Sequence, residues 1–543
     1  MKEKLSSAIE TVLSNLNYPE ISVIIQLPKN TAHGDFSTNL AMQLASKLNQ
    51  QPMEIAKIIS KKLEKDFPKL IQSTSIAGPG FINIHVQKKQ IISQLHSIMN
   101  EEDSFGKSLE FKGKKALVEF VSANPTGPLT VGHGRGAMLG DVISNILSWN
   151  GYDVEREYYY NNAGKQMERL GKSIQARYLE MLGENNTFPE EGYEGEYIID
   201  IARELVNADN DKHKNVSDLS IFIKIAENRI FKEIKNTLSK LKLTFDNYFN
   251  EQSLYDSGAI ENVINILKNK NLIYEKDGAT WFKATKAGRQ QDRVMIKSSG
   301  EPTYRLPDIA YHQDKIERGY DLIIDILGAD HMDAYPDVIA AIEQMNYSSK
   351  NIKVLIHQFV TLTKNGEPVK MSTRKAQYVT LDELIEEVGI DVTRYFFLMR
   401  GMNSHLNFDM DLAKDESDEN PVFYLQYAHA RLCNILKYAE SMGHEINKDT
   451  DLSFLSLDSE IMLIKNSMEF PQVIKNTLNN FEPQTIINYL HDLASKFHKY
   501  YANERVVTED KKTTSARLVL INCIKMVLRN GLTILNINAP EKM

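Results

Sequence analysis

The sequence predicts an α/β protein: a central domain built on a doubly wound parallel sheet and interrupted by a helical insertion, an α+β domain before it and an all-α bundle after it. Three observations predict this. An apolar strand, Ala116 to Ser122, runs into a glycine-rich turn and then an amphipathic helix, the way such a sheet presents a nucleotide site at the end of its first strand. The next strand candidate follows at once, but the later ones return only beyond a long helical stretch. From about Asn420 to the end, helical apolar patterns alternate with short polar turns.

The first region, residues 1–110, has helical patterns over Leu5 to Leu16, Leu40 to Leu48 and Met53 to Leu63. The turn Gly78-Pro79-Gly80 leads into an extended segment ending at Val86. In the second region, residues 111–400, Gly136 to Trp149 reads as a helix with Leu139, Val142, Ile143, Ile146 and Leu147 on one face and Gly151 as its C′ residue. Val154 to Tyr159 is the second strand, and Asp321 to Gly328 and Ile352 to His357 are further strands. Residues 166–249 form the insertion. The third region, residues 401–543, carries Tyr424, Tyr427, Leu432, Ile435 and Leu436 at helical spacing.

Apolar content of 42% and charged content of 25% are ordinary for a globular protein. No apolar run reaches the ~18 residues a membrane span needs, and Met1-Lys2-Glu3-Lys4-Leu5 opens no signal peptide, so a cytoplasmic protein without membrane attachment is expected. Cys433 and Cys523, the only cysteines, cannot build a thiolate zinc site and read as core. A net charge of −8 does not announce nucleic acid, but a local basic stripe suffices for binding it.

Several segments could carry chemistry. In the turn Gly127 to Gly136, glycines let backbone approach a ligand, and His133 at a helix start could donate to a phosphate. An ordinary strand–helix turn would look similar, and the spacing is neither a dinucleotide fingerprint nor a P-loop. Gly171-Lys172-Ser173 imitates a P-loop end without its preceding glycine and is set aside. Val369-Lys370-Met371-Ser372-Thr373-Arg374-Lys375 puts three cations on one loop, able to neutralise a leaving pyrophosphate or simply to be solvated. Asp308, in Tyr304 to Tyr311, could join Glu119 in an acidic pocket for a cationic side chain, or be a surface carboxylate.

Together these segments resemble class I aminoacyl-tRNA synthetases, specifically the arginyl family. Thr130-Val131-Gly132-His133 resembles the HIGH signature, and Lys370 to Arg374 the KMSKS loop. Val118 to Gly134, Tyr159 to Gly164, Pro189 to Ile198 and Gly328 to His331 resemble longer arginyl segments. So do His33 to Asn39 and Ala77 to Asn83 in the first domain, Asn420 to Arg431, and the ending Ala539 to Met543.

The resemblance implies a Rossmann-like class I catalytic domain, an N-terminal domain that reads the tRNA D-loop, and a helical anticodon-binding domain. It implies ATP-dependent charging of tRNA(Arg) with arginine, with Mg-ATP as substrate complex, activation that requires bound tRNA, no zinc, and a monomer. By the same resemblance, His133, Lys370, Thr130 and Arg374 are the catalytic candidates; Gly132, His133, Gly328, Asp330 and Lys370 bind ATP; Glu119, Asn124, Tyr304 and Asp308 bind arginine; and Phe81, Asn83, Tyr424, Tyr427 and Arg431 face tRNA, the last three being equally readable as packing residues.

Two positions depart from the pattern. Thr130 stands where the family has the first histidine of HIGH, and Thr373 where it has the second lysine of KMSKS. Arg374 and Lys375, next to Thr373, could substitute for the missing loop lysine, and the resemblance also names a lysine ahead of the first strand as compensation, which points to Lys114 and Lys115. Threonine hydrogen-bonds but carries no charge. The competing readings are a class I synthetase for another amino acid, disfavoured by the carboxylates and the missing cysteines, and a catalytically weak tRNA-binding scaffold, supported only by Thr130.

Overall fold

The computed structural model describes residues 1–26, 28, 34–369 and 379–543. The chain opens on α1 (Lys2–Asn15), which buries Leu5, Ile9, Val12 and Leu13 as one stripe. There follow β1 (Phe36–Thr38), α2 (Leu40–Leu48), α3 (Pro52–Asp66), β2 (Ile71–Ala77) and β3 (Phe81–Val86). The strands form an antiparallel sheet in the order β1-β3-β2. Alternation along β3 sends Ile82, Ile84 and Val86 into the core and Phe81, Asn83 and His85 to the other face.

The central domain begins with β4 (Lys115–Glu119), α4 (Val131–Trp149) and β5 (Asp153–Tyr160). Three insertion helices follow, α5 (Lys165–Met181), α6 (Glu196–Asp209) and α7 (Ser220–Lys240), and then β6 (Asn247–Asn250). After a three-stranded antiparallel sheet within residues 273–296 come α8 (Arg305–Glu317), β7 (Leu322–Gly328), β8 (Ile352–His357), α9 (Leu381–Val388) and α10 (Ile390–Leu398). The main sheet is wholly parallel, in the order β8-β7-β4-β5-β6. Strand order reverses between β4 and β7, so the crevice beyond their carboxyl ends is where a doubly wound sheet takes its ligand.

The structure moves several predicted boundaries. The first strand stops at Glu119 rather than Ser122, because Val121 (φ 68°) and Ser122 (φ 45°) turn left-handed. A β-branched residue in that region is strained, and the turn swings the chain out of the sheet into the site. The helix begins at Val131, five residues before Gly136, because Thr130 caps it. Gly151 takes φ 96° just past its end, as its C′ role requires. The insertion's predicted range ends in β6, which pairs with β5 as the sheet's edge, and the sheet within 273–296 lies in a stretch where the sequence offered no strand.

The last region is helical, as expected. α11 (Pro421–Ser441), α12 (Gln484–Asn503) and α13 (Lys511–Ile534) are its long members. α13 is buried on nearly every face and anchors the bundle to the rest of the chain: Asn530 donates to the carbonyls of Glu102 and Phe105 at 2.9 and 3.2 Å. Buried Arg394 ties the central domain to the last region, pairing with Asp141 of α4 and donating to the carbonyls of Leu241 and Leu535. Cys433 and Cys523 are buried and unbridged. Among the described residues no helix is long and apolar enough to cross a membrane, and no group of three or more His, Cys, Asp or Glu side chains could hold a metal ion.

Candidate active site

At one side of the crevice α4 starts from Thr130. The backbone N–H of Thr130 donates to His133 Nδ1 at 3.0 Å, and the Thr130 hydroxyl lies 3.1 Å from the same nitrogen. This reciprocal cap satisfies an amide that the helix start leaves over. Burial pulls the pKa of His133 below the usual histidine value, so the ring is neutral at pH 7. With Nδ1 accepting, the proton sits on Nε2. Leu129, Thr130 and Val131 pair back to front with Val379, Thr380 and Leu381: Leu381 N–H donates to the Leu129 carbonyl at 2.8 Å and Val131 N–H to the Val379 carbonyl at 3.3 Å. The start of α4 is thus joined to the start of α9.

The glycines divide their labour. A Cβ on Gly134 would lie 2.7 Å from Phe397, and one on Gly140 would overlap Phe120, so these positions let α4 pack closely. Gly132 is exposed at the helix start, where a Cβ would meet nothing closer than 3.5 Å. Its amide, not its lack of a side chain, is what a phosphate could use. Across the crevice, β7 ends at Gly328, over which the Asp330 carboxylate folds so closely that a Cβ would sit 2.5 Å from Oδ1. Asp330 and His331 are exposed there, 3.6 Å apart. Lys370, Thr373 and Arg374 lie outside the described residues. Lys114 and Lys115 precede or open β4 at the end opposite Glu119, so the structure does not bring them to the turn.

The acidic pocket is more heavily paired than the sequence suggested. Glu119 and Asp325 are neighbours in register across β4 and β7. Between them lies Lys315 of α8, fully buried, with its ammonium 2.5 Å from Glu119 and 2.6 Å from Asp325 and seated 4.0 Å from the centre of the Tyr311 ring. Burial opposes every charge in this cluster. It raises the Glu119 carboxyl despite the lysine, whereas Lys315 and His312 outweigh it at Asp325 and hold that carboxyl low. His312 bridges onward, 2.9 Å from Asp325 and 2.8 Å from the Asp308 carbonyl. The Asp308 side chain, in the first turn of α8, receives no hydrogen bond from any described residue. Burial, abetted by Glu119 and Glu251 and countered by His312 and Lys315, pushes it up to about 7. Tyr304 stands at the N-cap position of α8, 62% exposed, with the Arg305 guanidinium 5.1 Å from the centre of its ring.

The loop after β4 is clamped. Ser122 Oγ donates to Glu119 at 2.9 Å and accepts the Tyr159 N–H at 3.2 Å. Tyr158 exchanges two hydrogen bonds with Ala123. Asn124 Oδ1 accepts from the Asn161 N–H at 2.9 Å, and its amide donates to Gln166 at 3.2 Å. Tyr197 of α6 donates to the Thr126 carbonyl at 2.8 Å. The insertion thereby fixes the loop that carries Asn124, one end of which is strained. Asn124 and Asp308 thus come from different elements, and the Asn124 side chain is already engaged by Asn161 and Gln166. Lys315, His312, Asp325 and Tyr197 were missed in the sequence; the only available signal was the helical spacing of Asp308, His312 and Lys315 on α8.

The residues expected at RNA lie elsewhere. Phe81 is 38% exposed, whereas Asn83, two residues on along the same face, is only 4% exposed. On α11, Tyr424, Tyr427 and Arg431 face His491 and His498 of α12. Tyr424 stacks on His491 with ring centres 5.7 Å apart and planes 7° from parallel. The Arg431 guanidinium lies 4.3 Å from the centre of the Tyr427 ring, bonds its hydroxyl and donates to His498 Nδ1 at 3.1 Å. Burial and Arg431 push His498 down to about 4, so it is a neutral acceptor. Packing and exposure coexist here: Tyr427 is 36% exposed.

Residues 1–86 match the family described as arginyl tRNA synthetase N terminal domain, residues 94–396 the class I (R) tRNA synthetase catalytic domain, and residues 425–543 the DALR anticodon binding domain. The chain is similar to an arginine–tRNA ligase of Salinibacter ruber, 46% identical over the full length of both chains, and to one of Desulfotalea psychrophila, 48% identical over 96% of this chain and 94% of that one. An arginyl-tRNA synthetase structure from Campylobacter jejuni superposes with a TM-score of 0.78 at 33% identity, covering 84% of this chain and 100% of that one. One from Thermus thermophilus gives the same TM-score over 100% of both chains at 21% identity, a likeness of fold.

Proposed function

The chain belongs to the arginyl-tRNA synthetase family, and from that premise we propose that it is an arginine–tRNA ligase whose amino-acid selectivity rests on Asp308. The observation that carries the reading is this carboxylate, left without a hydrogen-bond donor among the described residues and set near Glu119 in the first turn of α8, where a guanidinium would supply the missing donors. A guanidinium offers such an acceptor directional, charge-assisted bonds.

In the first step an arginine carboxylate oxygen bonds the α-phosphorus of Mg-ATP while the bond to the bridging oxygen of pyrophosphate breaks, giving arginyl-adenylate. A terminal-adenosine hydroxyl of tRNA(Arg) then attacks the arginyl carbonyl, and AMP leaves. Neither step needs a protein nucleophile, so catalysis is positioning and charge stabilisation. The Nε2–H of His133 and the Gly132 amide in the first turn of α4 are donors suited to phosphate oxygens. Lys370 and Arg374 are assigned to the pyrophosphate, and Gly328 and Asp330 to the adenosine end. Asn124, Tyr304, Asp308 and, below them, Glu119 are assigned to arginine. Phe81 and Asn83 are assigned to the D-loop, and Tyr424, Tyr427 and Arg431 to the anticodon side, where aromatic and guanidinium planes suit unpaired bases.

Divisions near residues 110 and 400, a monomeric state, cytoplasmic residence and independence from zinc complete the proposal. The test is ATP–pyrophosphate exchange with arginine, with and without tRNA(Arg). Exchange that needs both arginine and tRNA is expected. No exchange with tRNA present would defeat the enzyme reading, and exchange driven by another amino acid would defeat the specificity.

A further inference from the structure

We propose that Thr130 is a positioning residue that holds the His133 imidazole as a phosphate donor, so that threonine at this place is a working alternative to the family's histidine and not a lesion. The geometry forces the assignment. Nδ1 of His133 has one lone pair and accepts the Thr130 backbone N–H at 3.0 Å, so it carries no proton. The Thr130 hydroxyl, 3.1 Å from the same nitrogen, can then only donate to it. Two donors converge on Nδ1, and the ring's one proton is confined to Nε2.

Backbone alone would leave this weaker. The hydroxyl is a second donor sharing the Nδ1 lone pair and further disfavours an Nδ1–H tautomer, and it reaches Nδ1 because the Thr130 backbone is pinned independently by the pairing of residues 129–131 with 379–381. That pinning does not involve the side chain; the hydroxyl's own share of the capping box is lost in T130V and kept in T130S. A histidine at 130 has no hydroxyl to offer Nδ1. The charged and titratable groups facing His133 from other elements are Asp330, after β7, and His357, at the end of β8. Asp330 favours the imidazolium, His357 disfavours it when charged, and neither selects a tautomer.

This inference rests on the ligase reading, and its test separates the two. Uniform 15N-histidine labelling of the full chain, with His133 assigned by the signal missing in H133N, reads the tautomer without any activity. The wild type and T130S are expected to show a single Nε2–H tautomer. In T130V the Nδ1 resonance is expected to move towards the tautomer average and the ring to titrate at higher pH. In exchange assays T130S should stay within about twofold of wild type, while T130V loses about five- to tenfold in kcat with the arginine KM unchanged. T130H should also fall below wild type. Nδ1–H in the wild-type spectrum, or T130H exceeding wild type, would overturn the proposal. So would a kcat loss in T130V with an unmoved Nδ1 signal, which would mean that the hydroxyl touches substrate instead.

Discussion

Replacing Asp308 offers the sharpest quantitative test of the arginine pocket. With the free carboxyl pushed up to about 7 by burial, only about a tenth of it is ionised at pH 6 and about nine tenths at pH 8. A guanidinium binds the ionised form, and apparent affinity scales with the competent fraction. Arginine affinity is therefore full above the pKa of the free enzyme and lost as pH falls through it. The KM for arginine should rise about tenfold from pH 8 to pH 6, with the ATP KM as internal control. D308N should abolish this slope and raise the arginine KM about 10- to 150-fold at pH 8, the value of a charge-assisted hydrogen bond. The assay is pyrophosphate exchange at saturating ATP and tRNA. A pH-independent KM in the wild type, or an unchanged slope in D308N, would refute the reasoning.

The same shift has a stability consequence of opposite sign. A carboxyl whose folded pKa is raised binds its proton more tightly folded than unfolded, so its contribution to stability falls as pH climbs from about 4 to about 7. D308N should stabilise the ligand-free protein by about 1–3 kcal/mol at pH 8, measured by denaturant unfolding. K315M strands Glu119 and half-strands Asp325, and should cost about 3–5 kcal/mol; adding E119Q should recover part of it, and absence of recovery would mean the ammonium serves Asp325 alone. Y197F removes the hydrogen bond to the Thr126 carbonyl and should raise the arginine KM about threefold without touching the ATP KM. R431A should raise the KM for tRNA about tenfold at low salt and leave the KM values for arginine and ATP at saturating tRNA unaltered, with filter-binding of tRNA as the direct check.

Much of the architecture was legible from periodicity. The apolar runs at 116–122, 321–328 and 352–357 became three adjacent strands, because strands near the centre of a sheet covered on both faces are mostly apolar. The edge strand β6 was not legible: Asn247-Tyr248-Phe249-Asn250 is short and half polar, and only pairing with β5 makes it a strand. The break after Glu119 was hidden for another reason. Val121 favours extended backbone locally, and the surrounding hydrogen bonds to Tyr158 and Tyr159 hold the adjoining turn against that preference.

The sequence by itself determined the family, the order of the domains and the residue types of the site, since ordered motifs survive without knowledge of contacts. Tertiary structure decided which of those residues are uncommitted. Glu119 and Asp308 are both carboxylates in the sequence, yet a lysine nearly two hundred positions away occupies one and leaves the other open. Thr130 looked like a missing histidine, and the fold makes it the partner of the histidine that remains. The physical reason is common to both. A side chain's chemistry is written in the chain, but its protonation and pairing depend on burial and on neighbours that only folding brings within hydrogen-bond distance.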